Sequence, residues 1–345
     1  MAGPSSSSLQ RPPQGVWSAA ARRFAQDRVG LASFAVVMLF GLLVGAVAAG
    51  LLAADWQRER AVSYAPPWGV AGTPASLALQ SHASGEVLDM TAIDPLAPRY
   101  AEWARRAEAL RAETPVLAER LLFGADRLGR DVLAKALRGA RTSIVVGVLA
   151  ALLAAALGTL FGAFAGFFGG RFDDVMEWLY NVFTSIPGIL LVLAFAAVTG
   201  RGAGGVVLVL GLTGWTAIYR LVRAEFIKHA ARDYVRAAQA IGAPPLARMF
   251  RHILPNVSHV VLVQLSIHVV GFIKYEVILS YLGLGVGLDE VSWGSMLAES
   301  QSELLQGVWW QLATATAFMA VFVTAFSLMT DALRDALDPK LGGLA

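Results

Sequence analysis

The residues able to do chemistry are few and poorly placed for it. His252, His259, His268 and Glu276 lie in one stretch and are of the types that hold a metal ion. His259 and His268 are nine positions apart, which on a helix is roughly 900° of rotation and about 13 Å of rise. They project from opposite faces, so one straight helix cannot bring both to one ion. Ser266 stands two residues from His268, and side chains at that spacing diverge, so the two form no nucleophile–base pair. There is no cysteine, which excludes a disulfide, a thiolate metal site and a Cys nucleophile. The lysines are Lys135, Lys228, Lys274 and Lys340, and none follows a glycine. The chain therefore lacks the G-x-x-x-x-G-K-[ST] phosphate cradle, and Gly200–Gly205 reads as a turn between apolar runs. No basic tract carries interleaved aromatics, so nucleic acid is not an expected partner. Neither a catalytic residue nor a metal site is expected. What remains is one acid inside an apolar run, Glu276, and one basic segment, Arg220–Arg251.

The elements that must carry these residues are membrane spans. Of 345 residues, 56% are hydrophobic and only 15% charged, with a mean hydropathy of +0.58. A soluble domain carries about 25% charge. A bilayer core about 30 Å thick is crossed by about 20 apolar residues in a helix. Runs poor in charge are Leu31–Ala54, Thr142–Gly170, Val175–Gly200 (interrupted by Glu177), the short Gly202–Tyr219, His252 to about Leu282, and Leu304–Thr330. The expectation is an all-α, polytopic membrane bundle of six transmembrane helices, with both termini on one side. Lys and Arg in short loops mark the cytoplasm. Arg11, Arg22, Arg23 and Arg28 precede the first span. Arg220, Arg223, Lys228, Arg232, Arg236, Arg248 and Arg251 crowd one loop, whereas 283–303 is acidic.

This gives a cytoplasmic tail at 1–30, an uncleaved first span at 31–54 and a long extracytoplasmic insertion at 55–140. A five-helix body follows at 141–335 with a cytoplasmic segment at 220–256, then a cytoplasmic tail at 336–345. Within the insertion, Pro98–Arg111 reads as a helix with Tyr100, Trp103, Ala107 and Leu110 on one stripe. Thr114-Pro115 reads as the cap and first residue of another short helix. Gly158, Gly162 and Gly166 recur at four-residue spacing, which lets a second helix approach closely. Trp293, Trp309 and Trp310 mark the outer membrane interface. An acid inside a span is costly unless it is paired or faces water. Two readings of Glu276 stand side by side: it faces the path or a partner near the outer part of the fifth span, or it caps a helix shorter than drawn and is solvated.

Charge does not explain the pattern in Asp233–Pro255. Tyr234, Ala237, Ala238 and Ile241 fall at i, i+3, i+4 and i+7, the apolar stripe of a short helix. Arg232, Arg236 and Gln239 fall on another face. Gly242 stands where that helix should stop. Pro244 and Pro245 suit the start of a second helix through Leu246, Met249, Phe250 and Ile253, which Pro255 ends or kinks. A helix–turn–helix projecting from the cytoplasmic face is predicted, its stripe small enough in the middle for a partner to close around it.

The same segment resembles the EAA motif of binding-protein-dependent ABC transporter permeases. Ala237-Ala238, Gly242 and Ile253-Leu254-Pro255 match, and Arg236 replaces the leading Glu. Phe123 to Val132, followed by Gly139-Ala140-Arg141, is similar to the FGTDxxGRDV…GAR element of the dipeptide/oligopeptide subfamily, C-type. Gly166–Gly170 resembles its GYFGG turn. Glu276 with Leu279–Gly285 and Ser292-Trp293-Gly294 resembles its E-x-x-LSFLGLG…SWG element, and Asp331–Pro339 its LRDALDP.

The resemblance covers 121–341 and implies a type I ABC importer permease in a bacterial inner membrane, bathed in membrane lipid. Such a chain pairs with a second permease to form a path for peptides or a related small solute. An extracytoplasmic solute-binding protein delivers the solute, and two ABC ATPase subunits, which bind the ATP and Mg, dock beneath. The chain itself would hold no cofactor and be no enzyme. The resemblance assigns ATPase coupling to Asp233, Tyr234, Arg236, Ala237, Ala238, Ile241, Gly242, Ile253, Leu254 and Pro255. It assigns a place on the path or at the partner interface to Glu276 and Ser280. The alternatives are a secondary transporter, which usually shows internal repeats, and a membrane-embedded enzyme. No clear repeat is present.

Overall fold

The computed structural model describes residues 21–70, 94–111, 117–287 and 289–337. Among them, regular structure is helical, with isolated bridges but no strand. Helix α1 spans Arg28–Ala48 and is capped by Asp27, whose carboxylate accepts from the Val29 amide at 2.9 Å. Helix α2 spans Tyr100–Arg111, as the apolar stripe predicted. Thr114 and Pro115 lie outside the described residues, and 117–131 runs as turns and bridges rather than as a helix. Bridges pair Glu59 with Arg130, Ala61 with Ala118 and Pro67 with Leu121, folding the chain after α1 against the approach to α3.

Helix α3, Val132–Phe168, is capped by Asp131 and starts earlier than the expected Thr142. The charges that bounded the apolar run lie inside the helix, and Lys135 is fully buried among acids. The non-helical approach to α3 accordingly ends at Asp131. The expected straight span Val175–Gly200 is instead two helices, α4 (Gly170–Ser185) and α5 (Gly188–Thr199), bent by 92°. Pro187 forces the break. It denies the residue before it the helical region, and Ile186 is extended at φ −98°, ψ 133°. Helix α6, Ala203–Ala230, runs past the expected end at Tyr219. Helices α7 (Asp233–Ala240), α8 (Pro245–Tyr281), α9 (Trp293–Leu304) and α10 (Trp310–Leu337) complete the described elements.

Five helices (α1, α3, α6, α8 and α10) are long and apolar enough to cross a membrane, or six crossings if α4–α5 counts as one. The register of the helix contacts decides between five and six. A Cβ on Gly211 would meet Leu153, one on Gly158 would meet Ile218, and one on Gly166 would meet Phe226. Numbers rise together along α3 and α6, so the two helices run parallel. The chain must therefore recross between Phe168 and Ala203, and α4–α5 is what carries it back. Against α8 the order reverses, with Ser143 bonded to Glu276 and a Cβ on Gly147 meeting Ile273. Helix α10 likewise opposes α1, with Ala332 at Gly30 and Phe322 at Phe40. The crossings alternate in direction, as the six apolar runs implied. The start of α1, the α3–α4 turn, α7 and the end of α10 share one end of the bundle; α9 lies at the other.

The tightest seam is α3 on α6. A Cβ on Gly162 would stand 2.7 Å from the Tyr219 carbonyl oxygen, and one on Gly166 2.5 Å from that of Arg223. The four-residue glycine spacing thus serves close packing within the chain. Arg223 then clamps α6 to α4 through Asp173, at 2.5 and 2.7 Å.

Candidate functional site

Helix α7 is a short helix held beyond the spans by its own caps. Gly242 has φ +85°, a conformation glycine adopts freely. The amides of Gly242 and Ala243 close the helix on the carbonyls of Gln239 and Ala238, each at 3.0 Å. A Cβ on Gly242 would meet nothing within 4 Å, so the constraint there is the backbone angle and not space.

The expected second helix does not stop at Pro255. One α-turn at Pro245–Ala247 passes into a π-helical stretch, Arg248–Ile253, and α-helix resumes from Leu254 to Tyr281. Pro255 thereby falls in the first turn of the resumed α-register, where a missing N–H costs little. The second half of the predicted pair is the foot of a long transmembrane helix.

The stripe expected on α7 is split. Val235 is 2% exposed and packs with Phe226, Met249 and Ile253. Ala238, one turn on, is also buried and faces the chain itself, so it is not open to a partner. Tyr234, Ala237 and Ile241 form the outer face, with Ile241 86% exposed. Val235 takes the inward position against Phe226, Met249 and Ile253, and that rotation turns the larger Ile241 outward. Asp233, Arg236 and Pro255 are exposed, Leu254 half-buried and Ile253 buried. Both flanks of α7 are pinned. The Tyr234 hydroxyl lies 2.8 Å from His229 Nδ1 on α6, and Gln239 accepts from Arg248 on α8 at 2.6 Å.

Glu276 is fully enclosed. Its carboxylate accepts from the hydroxyls of Ser143 on α3 and Ser280 on α8, each at 2.6 Å. The Ser143 oxygen in turn accepts from the Trp293 amide at 3.2 Å, and the Trp293 indole donates to the Ala136 carbonyl at 3.2 Å. One carboxylate therefore joins α3, α8 and the first turn of α9. Glu276 has no exposed atoms and Ser280 is buried, so neither stands at the surface of the chain taken by itself. Nor is Glu276 a solvated end, because the helix continues to Tyr281. His268 lies between the carbonyls of Gln264 (2.7 Å) and Gly214 (3.2 Å), as a packed histidine would.

Residues 158–343 match the family model of the binding-protein-dependent transport system inner membrane component. The chain belongs to this family. The permease is 37% identical over 219 residues to the dipeptide transport system permease protein DppC of Bacillus subtilis, covering 64% of this chain and 68% of the relative. It is 38% identical over 231 residues to the oligopeptide transport system permease protein OppC of Salmonella typhimurium, covering 67% and 76%. A chain of the inward-facing MetNI methionine ABC transporter aligns over 59% of this chain and 96% of its own, at 16% identity and a TM-score of 0.48.

The permease has a second polar centre that the sequence reading did not single out, at the end opposite α7. Asp126 is fully buried; its carboxylate accepts from Lys135 Nζ at 2.9 Å and Arg130 Nε at 2.7 Å. Lys135 also bonds Glu299 on α9 and, at 3.3 Å, Gln311 on α10. Burial pushes the Asp126 carboxyl up, but Lys135 and Arg130 outweigh it and hold the carboxyl below its ordinary value. The signal available in the sequence was the charge density of Asp126–Asp131, which was absorbed into the motif without a structural role. A charged lysine at 135 inside a helix was the second clue.

Proposed function

We propose that the chain is one permease subunit of an ATP-driven peptide importer of a bacterial inner membrane. It pairs with a second, non-identical permease and rests on two ATPase subunits, with both of its own termini in the cytoplasm. An extracytoplasmic binding protein delivers peptide to the end where α9 lies. The observation that carries this reading is α7. A capped helix, pinned on two flanks, presents Tyr234, Ala237 and Ile241 outward at the end of the bundle rich in Arg and Lys. An apolar face of that kind suits a groove on a soluble partner. ATP and Mg2+ are bound by that partner, since this chain has no phosphate cradle. Peptide is the solute favoured by the names of the relatives. The test is ATP-dependent uptake of labelled dipeptide and oligopeptide into vesicles holding the chain with its co-expressed partner subunits and binding protein. Uptake that needs ATP and this chain is expected. Transport by the chain alone, driven by an ion gradient, would overturn the reading.

A further inference from the structure

The centre at the end opposite α7 holds one acid too many. Asp126, Lys135 and Glu303 are fully enclosed there, Arg130 is nearly so, and Glu299, 30% exposed, completes the cluster from its rim. Two cations face three carboxylates. Glu303 has no exposed surface and no ion pair of its own among the described residues. The Arg127 amide approaches its Oε1 at 3.4 Å, and its Oε2 is buried without a hydrogen-bond partner.

A carboxylate with a bare buried oxygen, beside two other acids, is the least stable form of that group. The charged and titratable groups facing it are Asp126, Arg127 and Arg130 from the 126–131 loop, Lys135 from α3 and Glu299 from its own helix. Helix α10 contributes Gln311, which is neutral and already bonded to Lys135, Glu299 and the Met296 carbonyl. One proton on Glu303 brings the count to two cations and two anions.

We propose that this centre is a proton-binding site, in which Glu303 takes up one proton when α9 closes on the 126–131 loop and α3, and releases it when they part. The group responsible is the carboxyl alone, and the ligand is a proton from bulk solvent. No bond other than O–H forms or breaks.

Electrostatics agrees with the geometry. Burial raises the Glu303 carboxyl to about 7; Lys135 opposes this and Asp126 adds to it. The closed form therefore binds the proton more tightly than an opened form in which the group returns to its ordinary 4.5. Closure is favoured below that ordinary value and weakens as pH rises through about 7. These two values make opening about tenfold more favourable at pH 8 than at pH 6.

The chain has no cysteine, so single thiols report opening. Ser300→Cys is a near-isosteric change at a fully buried position of α9, and Leu305→Cys, 90% exposed, is the reference for thiol ionisation. In membranes holding the full complex, the ratio of the two labelling rates is measured from pH 6 to 8, with and without Glu303→Gln. The expected ratio rises about tenfold in the parent chain and stays flat with Glu303→Gln, which cannot titrate. Hydrogen exchange of 293–304 relative to 245–253 in the unsubstituted chain should show the same rise, independent of any thiol. A flat parent ratio, or an equal rise with Glu303→Gln, overturns the proposal.

Discussion

Replacing Ile241 by Ala tests the outward face of α7 without touching the fold. Ile241 is 86% exposed and follows the last turn of α7. Its truncation removes three carbons that the free chain leaves largely in water, so stability should change by less than about 0.5 kcal/mol. If a partner groove buries the side chain, each lost carbon costs about 0.8 kcal/mol. Three carbons, scaled by the fraction available for burial, give about 2 kcal/mol, or roughly 30-fold in affinity. The assay is binding of the purified ATPase to the permease pair in nanodiscs, followed by ATPase stimulation by loaded binding protein. Leu305→Ala, equally exposed at the opposite end, is the control and should leave ATPase binding unchanged. Ala237→Trp should behave like Ile241→Ala. Ala238→Trp should lower the melting temperature of the chain, because that position is enclosed by the chain itself and overpacking costs about 1–3 kcal/mol. Ile241→Ala with an affinity within twofold of the parent would show that no partner covers this face.

Three further outcomes follow from the described geometry. A thiol placed at the exposed Trp68 should react with an impermeant reagent added outside, and one at the exposed Ala231 should react only after permeabilisation; the reverse pattern would invert the topology. Ser143→Ala removes a donor from the enclosed Glu276 carboxylate and should cost about 1.5–3 kcal/mol. Glu276→Gln, which keeps an acceptor, should cost less than Glu276→Leu, which strands two serine hydroxyls. Insertion should survive in all three, and identical melting across the set would remove the joint from the account. Gly166→Ala drives a methyl against the Arg223 carbonyl and should destabilise by about 1–3 kcal/mol, while Gly41→Ala, with open space around it, should be neutral in the same melting assay.

What the sequence made legible was local. The apolar runs located every crossing because a span is defined by its own composition, and Gly242 marked the end of α7 because a helix cap is read within a few residues. The misses, with one exception, depended on partners distant in the chain. The charges of α3 ended the expected span at Thr142 because nothing nearby showed that Lys135 would meet Glu299 and Gln311, both beyond residue 290. Glu276 read as a path- or partner-facing acid, or as a solvated helix end, because its donor, Ser143, is 133 residues away. The rotation of α7 turned on Val235, whose pocket is built by Phe226, Met249 and Ile253 from two other helices. Pro187 was a local signal that went unused: a proline in the middle of an apolar run predicts the break that the 92° bend displays.

The two polar centres and α7 are connected by one element. Helix α8 runs through 37 residues, with the π-helical stretch Arg248–Ile253 near its foot, a length of about 55 Å at the helical rise. At its foot, Arg248 holds Gln239 of α7; near its far end, Glu276 holds Ser143, and through Ser143 the first turn of α9. Helix α9 then carries Glu299 and Glu303 into the charged centre with Asp126 and Lys135. Helix α7 is thus bonded to the foot of the same helix whose far end is bonded, through Ser143, and not merely packed, to the first turn of α9. The enclosed carboxylate at 276 fits this role better than an apolar contact would. Apolar surfaces slide past one another at little cost, whereas the 2.6 Å hydrogen bond from Ser143 to the buried carboxylate is lost outright when α3 and α8 shift; the Ser280 bond lies within α8 and is unaffected. The Ser143–Glu276 bond therefore fixes the register of α3 on α8 more sharply than packing alone would.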